Sequence, residues 1–185
     1  MKKTIALILS AALMMSFVAC SPADSDSTTE NDHDETEASE QNYDPDITFT
    51  TTDRDNNTYD ESIFAEHDLT MINMFEPWCG PCVGEMGDIQ DLYDKYNESG
   101  FFVIGLYSDT GYEDDLDQIL SDNGTEYPIL HFTNDFNDYV SGYVPTTIFV
   151  DREGHVVATA DADEGVLYIG ARSYSDWEAI ITELL

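Results

Sequence analysis

The chain of 185 residues carries 39 acidic residues against six basic ones, a formal charge of −33 at neutral pH. A surface this negative repels phosphate backbones and anionic headgroups, which excludes nucleic-acid binding and favours neutral or basic partners. With three cysteines, and with His33, His67, His131 and His155 scattered, no four-ligand zinc site can be read from the spacing.

Met1-Lys2-Lys3 is a short basic start, and Ile5 to Val18 is an almost unbroken apolar run. That run is too short to span a bilayer and matches the hydrophobic region of a signal peptide. It ends in Phe17-Val18-Ala19-Cys20-Ser21. Small residues before a cysteine resemble the bacterial lipobox, which implies lipidation of Cys20 after removal of residues 1–19. Phe17 stands where that motif usually has leucine, and ordinary signal cleavage beside a chance cysteine is the alternative. A thioether-linked Cys20 leaves one cysteine pair for the rest of the chain. Residues 21–46 are Ser, Thr, Asp, Glu and Asn-rich, with no Lys or Arg. Such a segment cannot bury enough apolar surface to offset the entropy of ordering, so residues 20–46 are expected to be a lipidated cysteine and a disordered acidic tether. As a flexible coil it would reach roughly 28 Å. Cation binding is the alternative use of its acids. Without the leader, four basic residues face the 39 acidic ones.

Residues 47–185 are long enough for one domain that needs no disulfide to hold it together. Ile47 to Thr51 alternates like an edge strand, and Asp53 to Asn57 reads as a turn. Asp53-x-Asp55-x-Asn57 resembles the start of a calcium loop but has Thr58 in place of the glycine and Phe64 in place of the final glutamate. Ser62 to His67 is a short helix or turn. Leu69 to Phe75 is mostly apolar and predicts a buried strand, followed by Trp78-Cys79-Gly80-Pro81-Cys82. Val83, Met86, Ile89, Leu92, Tyr93 and Tyr96 then recur at helical spacing, so the second cysteine lies at the start of a helix.

That placement has chemical consequences. Free N–H groups and the dipole of a helix's first turn stabilise negative charge. Lowering a thiol pKa from about 8.5 to about 7 raises its thiolate fraction at neutral pH from about 3% to about half. The thiolate attacks disulfides, and a partner two residues away can close the ring again. A structural disulfide without redox use is the alternative.

Gly100 ends the helix, and Phe101 to Tyr107 predicts a second buried strand, parallel to the first with a right-handed crossover. Glu113 to Asn123 predicts a helix with Leu116, Ile119 and Leu120 on one face and Gly124 beyond its end. Pro128 to His131 is a short apolar segment, and Asp135 to Val140 one or two helical turns. Pro145 directly precedes a strand pattern running to Asp151. Arg152 to His155 is a hairpin turn, His155 to Thr159 the returning strand, and Asp161 to Gly165 an acidic loop. Ser173 opens a last helix whose buried stripe is Trp177, Ile180, Ile181 and Leu184.

Trp78 to Cys82 has the thioredoxin active-site sequence, and the wider text from Met71 to Met86 resembles the extracytoplasmic TlpA/ResA-type branch. The resemblance covers residues 47–185. It implies the α/β thioredoxin fold, a central mixed β-sheet flanked by helices. It also implies a redox disulfide between the catalytic Cys79 and Cys82, supported by Trp78, Gly80, Pro81 and Pro145, with Pro145 cis against the pair. Trp78, Val144, Pro145 and Thr146 would flank substrate, since proline has no N–H and leaves the preceding backbone free to pair with an extended segment. No cofactor or metal is implied. Asn73 stands where cytoplasmic thioredoxin carries a buried aspartate, so the second cysteine's proton must go elsewhere. Glu76 and Glu85 flank the pair and would tune its pKa upward against the dipole; for Glu85 the alternative is a first-turn acid stabilising its own helix.

The resemblance further implies an extracytoplasmic, membrane-anchored reductase of exported proteins, re-reduced by a membrane thiol carrier of the CcdA/DsbD type. Apocytochrome c thiols (cytochrome c maturation), an exported methionine sulfoxide reductase and misbridged proteins are the clients it suggests. A disulfide-forming oxidant would use the same residues. A peroxidase of the peroxiredoxin kind would need a lone cysteine in a threonine-x-x-cysteine setting, which Phe75 to Cys79 does not offer. A non-catalytic binding lipoprotein would have no need of paired thiols.

Overall fold

The computed structural model describes residues 45–185. The expected signal peptide, Cys20 and the tether up to residue 44 lie outside the described residues. Asp46, at the foot of that tether, is tied to the domain. Its N–H donates to the Gly154 carbonyl at 2.9 Å, and its carboxylate accepts the Val156 N–H at 2.9 Å.

The sheet is built around β3 (Leu69–Met74), in which every residue is buried. A strand apolar on both faces belongs in the middle of a covered sheet. β4 (Phe101–Tyr107) lies parallel on one side, with Leu69 opposite Phe101, and β5 (Ile129–His131) continues parallel beyond it. On the other side β6 (Thr146–Asp151) is antiparallel, with Met74 opposite Thr146. That register fixes the site. The chain leaving β3 and the chain entering β6 meet at the same end of these strands, so Cys79 comes beside Val144, the residue before Pro145, although far from it in sequence.

Alternation along the strands divides the interior in two. Leu69, Met71, Val103 and Phe149 face α1 (Gly80–Tyr96) and α3 (Tyr174–Leu184), packing on Met86, Ile89, Leu92, Trp177 and Ile181. Ile72, Met74, Ile104, Leu106, Ile148 and Val150 face the other way, against Ile47, Phe49, Phe64 and Phe136. α2 (Glu113–Asn123) buries Leu116 and ends at Gly124, as its pattern predicts. Gly100, at φ +93°, closes the turn after α1; a Cβ there would lie 2.1 Å from the Asp68 carboxylate. Ser173 caps α3 in a reciprocal pair with Asp176.

Three local features differ from expectation. Residues Ile47 and Phe49 point inward as their alternation predicts, but the strand is β1 (Thr50–Thr52), paired with β2 (Thr58–Asp60) in a separate two-stranded sheet. The turn between them is held by the Asp53 carboxylate, which accepts the Asp55 and Asn57 N–H groups at 2.9 Å. The returning strand is short: β7 (Val156–Val157) pairs with only two residues of β6. The rest of that edge is taken by β8 (Tyr168–Ile169), opposite Thr147 and Thr146.

Gly105, in the middle of β4, is required by close packing. A Cβ would sit 2.6 Å from Ile129 Cδ1 and 3.1 Å from Phe75 Cε1. Gly105→Ala should therefore overpack the core and cost roughly 1–3 kcal/mol, read as a lowered urea midpoint with an unchanged slope.

Candidate active site

Past Met74 the chain makes a tight turn, closed by the Cys79 N–H on the Glu76 carbonyl at 3.0 Å, and α1 begins at once. Cys79 is its N-cap. The Cys79 Sγ accepts the Cys82 N–H at 3.3 Å, and the Cys79 carbonyl accepts the Val83 N–H at 3.0 Å. Pro81 lies in the first turn, where its missing N–H leaves nothing unsatisfied. The two sulfurs are joined in a disulfide with a Cα–Cα distance of 5.3 Å. When the bond opens, the same cap geometry offers the Cys79 sulfur an N–H and the positive end of the helix, both of which favour thiolate.

The cysteines differ in access. Cys82 is fully covered and Cys79 is 6% exposed. The sequence led us to expect a more open first sulfur; the Val144 carbonyl oxygen lies 3.6 Å from Cys79 Sγ, and the disulfide partner Cys82 is fully buried. Trp78 stands beside the remaining window, 55% exposed. Gly80 and Pro81 are exposed on the other flank.

The Val144–Pro145 peptide is cis, as the resemblance implies. Its loop is stitched from within: Thr146 Oγ1 donates to the Tyr143 carbonyl at 2.7 Å, and the Ser141 and Thr146 hydroxyls are 2.6 Å apart. Thr146 is buried, so its hydroxyl serves the loop and what it offers a bound segment is wall. Tyr143 points outward. Between this loop and the ends of β3 and β4 lies a cavity of about 240 Å³ with walls from Met74, Leu106, Phe132, Val140, Tyr143 and Val144. Glu76 and Ser108 supply its polar edge.

The two glutamates have separate environments. Glu76 is held by the Asp109 N–H at 3.0 Å, the Ser108 N–H at 3.2 Å and the Ser108 hydroxyl. Glu85 is buried. Its carboxylate accepts Asn73 Nδ2 at 3.0 Å, the Arg172 N–H at 3.0 Å and Trp177 Nε1 at 3.0 Å. Since α1 starts at Gly80, Glu85 lies beyond its first turn and is not an exposed acid serving the dipole. Burial pushes its pKa above the ordinary glutamate value, and the three hydrogen bonds and the Arg172 charge oppose that rise. Asn73 also donates to Thr147 Oγ1 at 3.0 Å. The ionisable group at this depth is therefore on the helix, one turn past Cys82, and not on the strand. Thr147, Trp177, Arg172 and Ser108 are the partners that sequence reasoning missed.

A family model described as the AhpC/TSA family matches residues 44–159. The chain belongs to that family. It is 34% identical over 105 residues to the thiol-disulfide oxidoreductase ResA of Oceanobacillus iheyensis, covering 52% of this chain and 54% of that protein. The chain thus spans about half the length of the curated relatives it matches. A thiol:disulfide interchange protein of Chlorobium tepidum superposes with a TM-score of 0.62 at 23% identity, over 76% of this chain and 94% of that one. A DsbF homologue from Corynebacterium diphtheriae gives 0.62 at 17%, over 75% and 85%. These likenesses establish the fold: the thioredoxin arrangement of a mixed sheet between helices.

Proposed function

We propose that this AhpC/TSA-family chain is a thiol-disulfide oxidoreductase that cycles Cys79 and Cys82 and reduces disulfides of exported proteins. The observation that carries the reading is the asymmetry of the pair: one sulfur at a helix tip, capped by an N–H, in contact with the loop before Pro145, and the other sealed beneath it. The relatives named ResA, matched over about half their length, support the same chemistry.

In the cycle, the Cys79 thiolate attacks one sulfur of a client disulfide. A Cys79–client bond forms, the client S–S bond breaks, and the released client sulfur takes a proton. Cys82 then loses its proton and attacks Cys79 Sγ, forming the Cys79–Cys82 disulfide and expelling the second client thiol. Two electrons and two protons pass from the dithiol to the client. A membrane dithiol carrier of the CcdA/DsbD type returns them. The client backbone lies along Val144-Pro145, with Trp78 over the window. Glu85, one helical turn past Cys82 and with a raised pKa, is the nearest buried group in sequence suited to hold the Cys82 proton, a task the Asn73 amide cannot perform.

The lipidated Cys20 and the acidic tether would hold this domain at the extracytoplasmic face of a bacterial membrane. Apocytochrome c thiols, an exported methionine sulfoxide reductase and misbridged proteins are the proposed clients. Equilibration of the pair against thiol buffers tests direction: a potential near the thioredoxin value of about −270 mV fits a reductant, whereas one near about −120 mV assigns the chain to disulfide formation. Reduced wild-type protein that leaves insulin intact would favour a binding lipoprotein instead.

A further inference from the structure

The cavity beside Val144 is not needed for thiol exchange itself, yet it opens from the residue that touches the reactive sulfur. Its walls are apolar, and one carboxylate stands at its edge. Glu76 is fixed there by two N–H groups and a hydroxyl. Two of those donors meet Oε1 and one meets Oε2. A carboxylate has about four acceptor sites, so Oε2, with one donor among the described residues, has a position left to accept, and Glu76 as a residue is 9% exposed to solvent. No cation pairs with Glu76 among the described residues. Each basic residue there is engaged elsewhere: Arg54 with Asp117, Lys95 with Glu178, Arg152 with Asp68, and Arg172 with Asp163.

We infer that this cavity is a specificity subsite for a lysine or arginine side chain of the client, next to the client cysteine that bonds Cys79. The inference rests on the exchange chemistry proposed above and adds the class of segment it acts on. A long basic side chain fits both halves of the site. Its methylene stem lies on the Met74, Leu106 and Val140 wall, and its head reaches the open Glu76 oxygen. A purely apolar side chain would cover the wall but desolvate the remaining Oε2 acceptor position without supplying a donor to it, which is unfavourable. An acidic side chain would meet Glu76 at close range. The overall negative charge of the chain steers basic segments toward the site; the subsite adds a short-range preference that salt does not erase.

The test uses the full-length protein, pre-reduced with a dithiol and freed of it. It is mixed in stopped flow with short peptides whose single cysteine is capped as a disulfide with a small neutral thiol. The residues on both sides of that cysteine are arginine, norleucine or glutamate. Oxidation of the protein is followed by its tryptophan fluorescence and by mass. The arginine peptide should react about tenfold faster than the norleucine peptide, with glutamate slowest. Most of that ratio should persist at about 0.5 M salt, where the screening length is only about 4 Å. Glu76→Gln, and independently Asn137→Lys at an exposed position on the rim, should bring the ratio close to one. Norleucine matching arginine, a ratio that vanishes in salt, or a ratio unchanged in both variants would each overturn the subsite. If none of the peptides oxidises the protein, the exchange chemistry itself fails and the subsite falls with it.

Discussion

Cys79→Ser should lower insulin reduction by about a thousandfold or more, because among the described residues it removes the one cysteine sulfur with any exposure to a client. Serine is itself a good N-cap, so the variant keeps α1 started and the loss is chemical, which an unchanged urea midpoint of the reduced proteins would verify. Cys82→Ser should also stop turnover, but for a different reason. Cys79 still attacks, the client bond forms, and nothing beneath it resolves the intermediate. A one-to-one mixed disulfide on Cys79 should therefore accumulate, seen by mass under non-reducing conditions. Activity passing to Cys82 when Cys79 is replaced would contradict the observed burial of Cys82.

The second large effect belongs to stability. Glu85→Ala leaves the Arg172 N–H and Trp177 Nε1 without their acceptor in the interior and takes one of two partners from Asn73. Hydrogen bonds to a charged group, lost with their donors still buried, should cost about 3–5 kcal/mol together. Glu85→Gln should cost far less, because its amide oxygen keeps two of the donors and Asn73 can turn its own amide to receive the new N–H. The pair also has a pH signature. Burial raises the folded-state pKa of Glu85 above the ordinary value of 4.5. Between those two values the folded protein holds a proton that the unfolded chain has released, so the Glu85 contribution to stability falls as pH rises through the window and is flat above it. Urea midpoints of wild type minus Glu85→Gln, taken from pH 4 upward, should show that decline. A difference that grows with pH would mean the buried carboxylate is favoured over its acid.

Glu85 also shows what the sequence made legible and what it did not. Its burial was passed over: the stripe expected from the sequence ran through Val83 and Met86, whereas Cys82, Glu85, Met86, Ile89 and Leu92 are residues of that helix that enter the core. Its partners could not be read, because Arg172 and Trp177 come from the other end of the domain, 87 and 92 residues away. The β3–α1–β4 unit was legible because two continuous apolar runs bracket a helical pattern with Gly100 at its end. The thiol pair and Pro145 were legible as motifs, and their contact follows from the antiparallel β3–β6 register, which no local pattern encodes. The two-residue β8 carries too little alternation to be seen, and β1 pairs with β2 because the Asp53 turn folds the chain back, leaving one bridge, Asp53 to Leu130, as its ladder link to the main sheet. The cavity beside Val144 is assembled from five separate stretches and was invisible from any one of them.

Of the two sulfurs, the one at the tip of α1 is the reactive one. Brief alkylation of the reduced full-length protein with iodoacetamide across pH 5 to 10, followed by peptide mapping, measures this directly. Label should fall on Cys79 far in excess of Cys82, with a rate midpoint below the value of about 8.5 for an ordinary thiol. Equal labelling of the two cysteines, or a Cys79 midpoint at or above that value, would contradict that assignment.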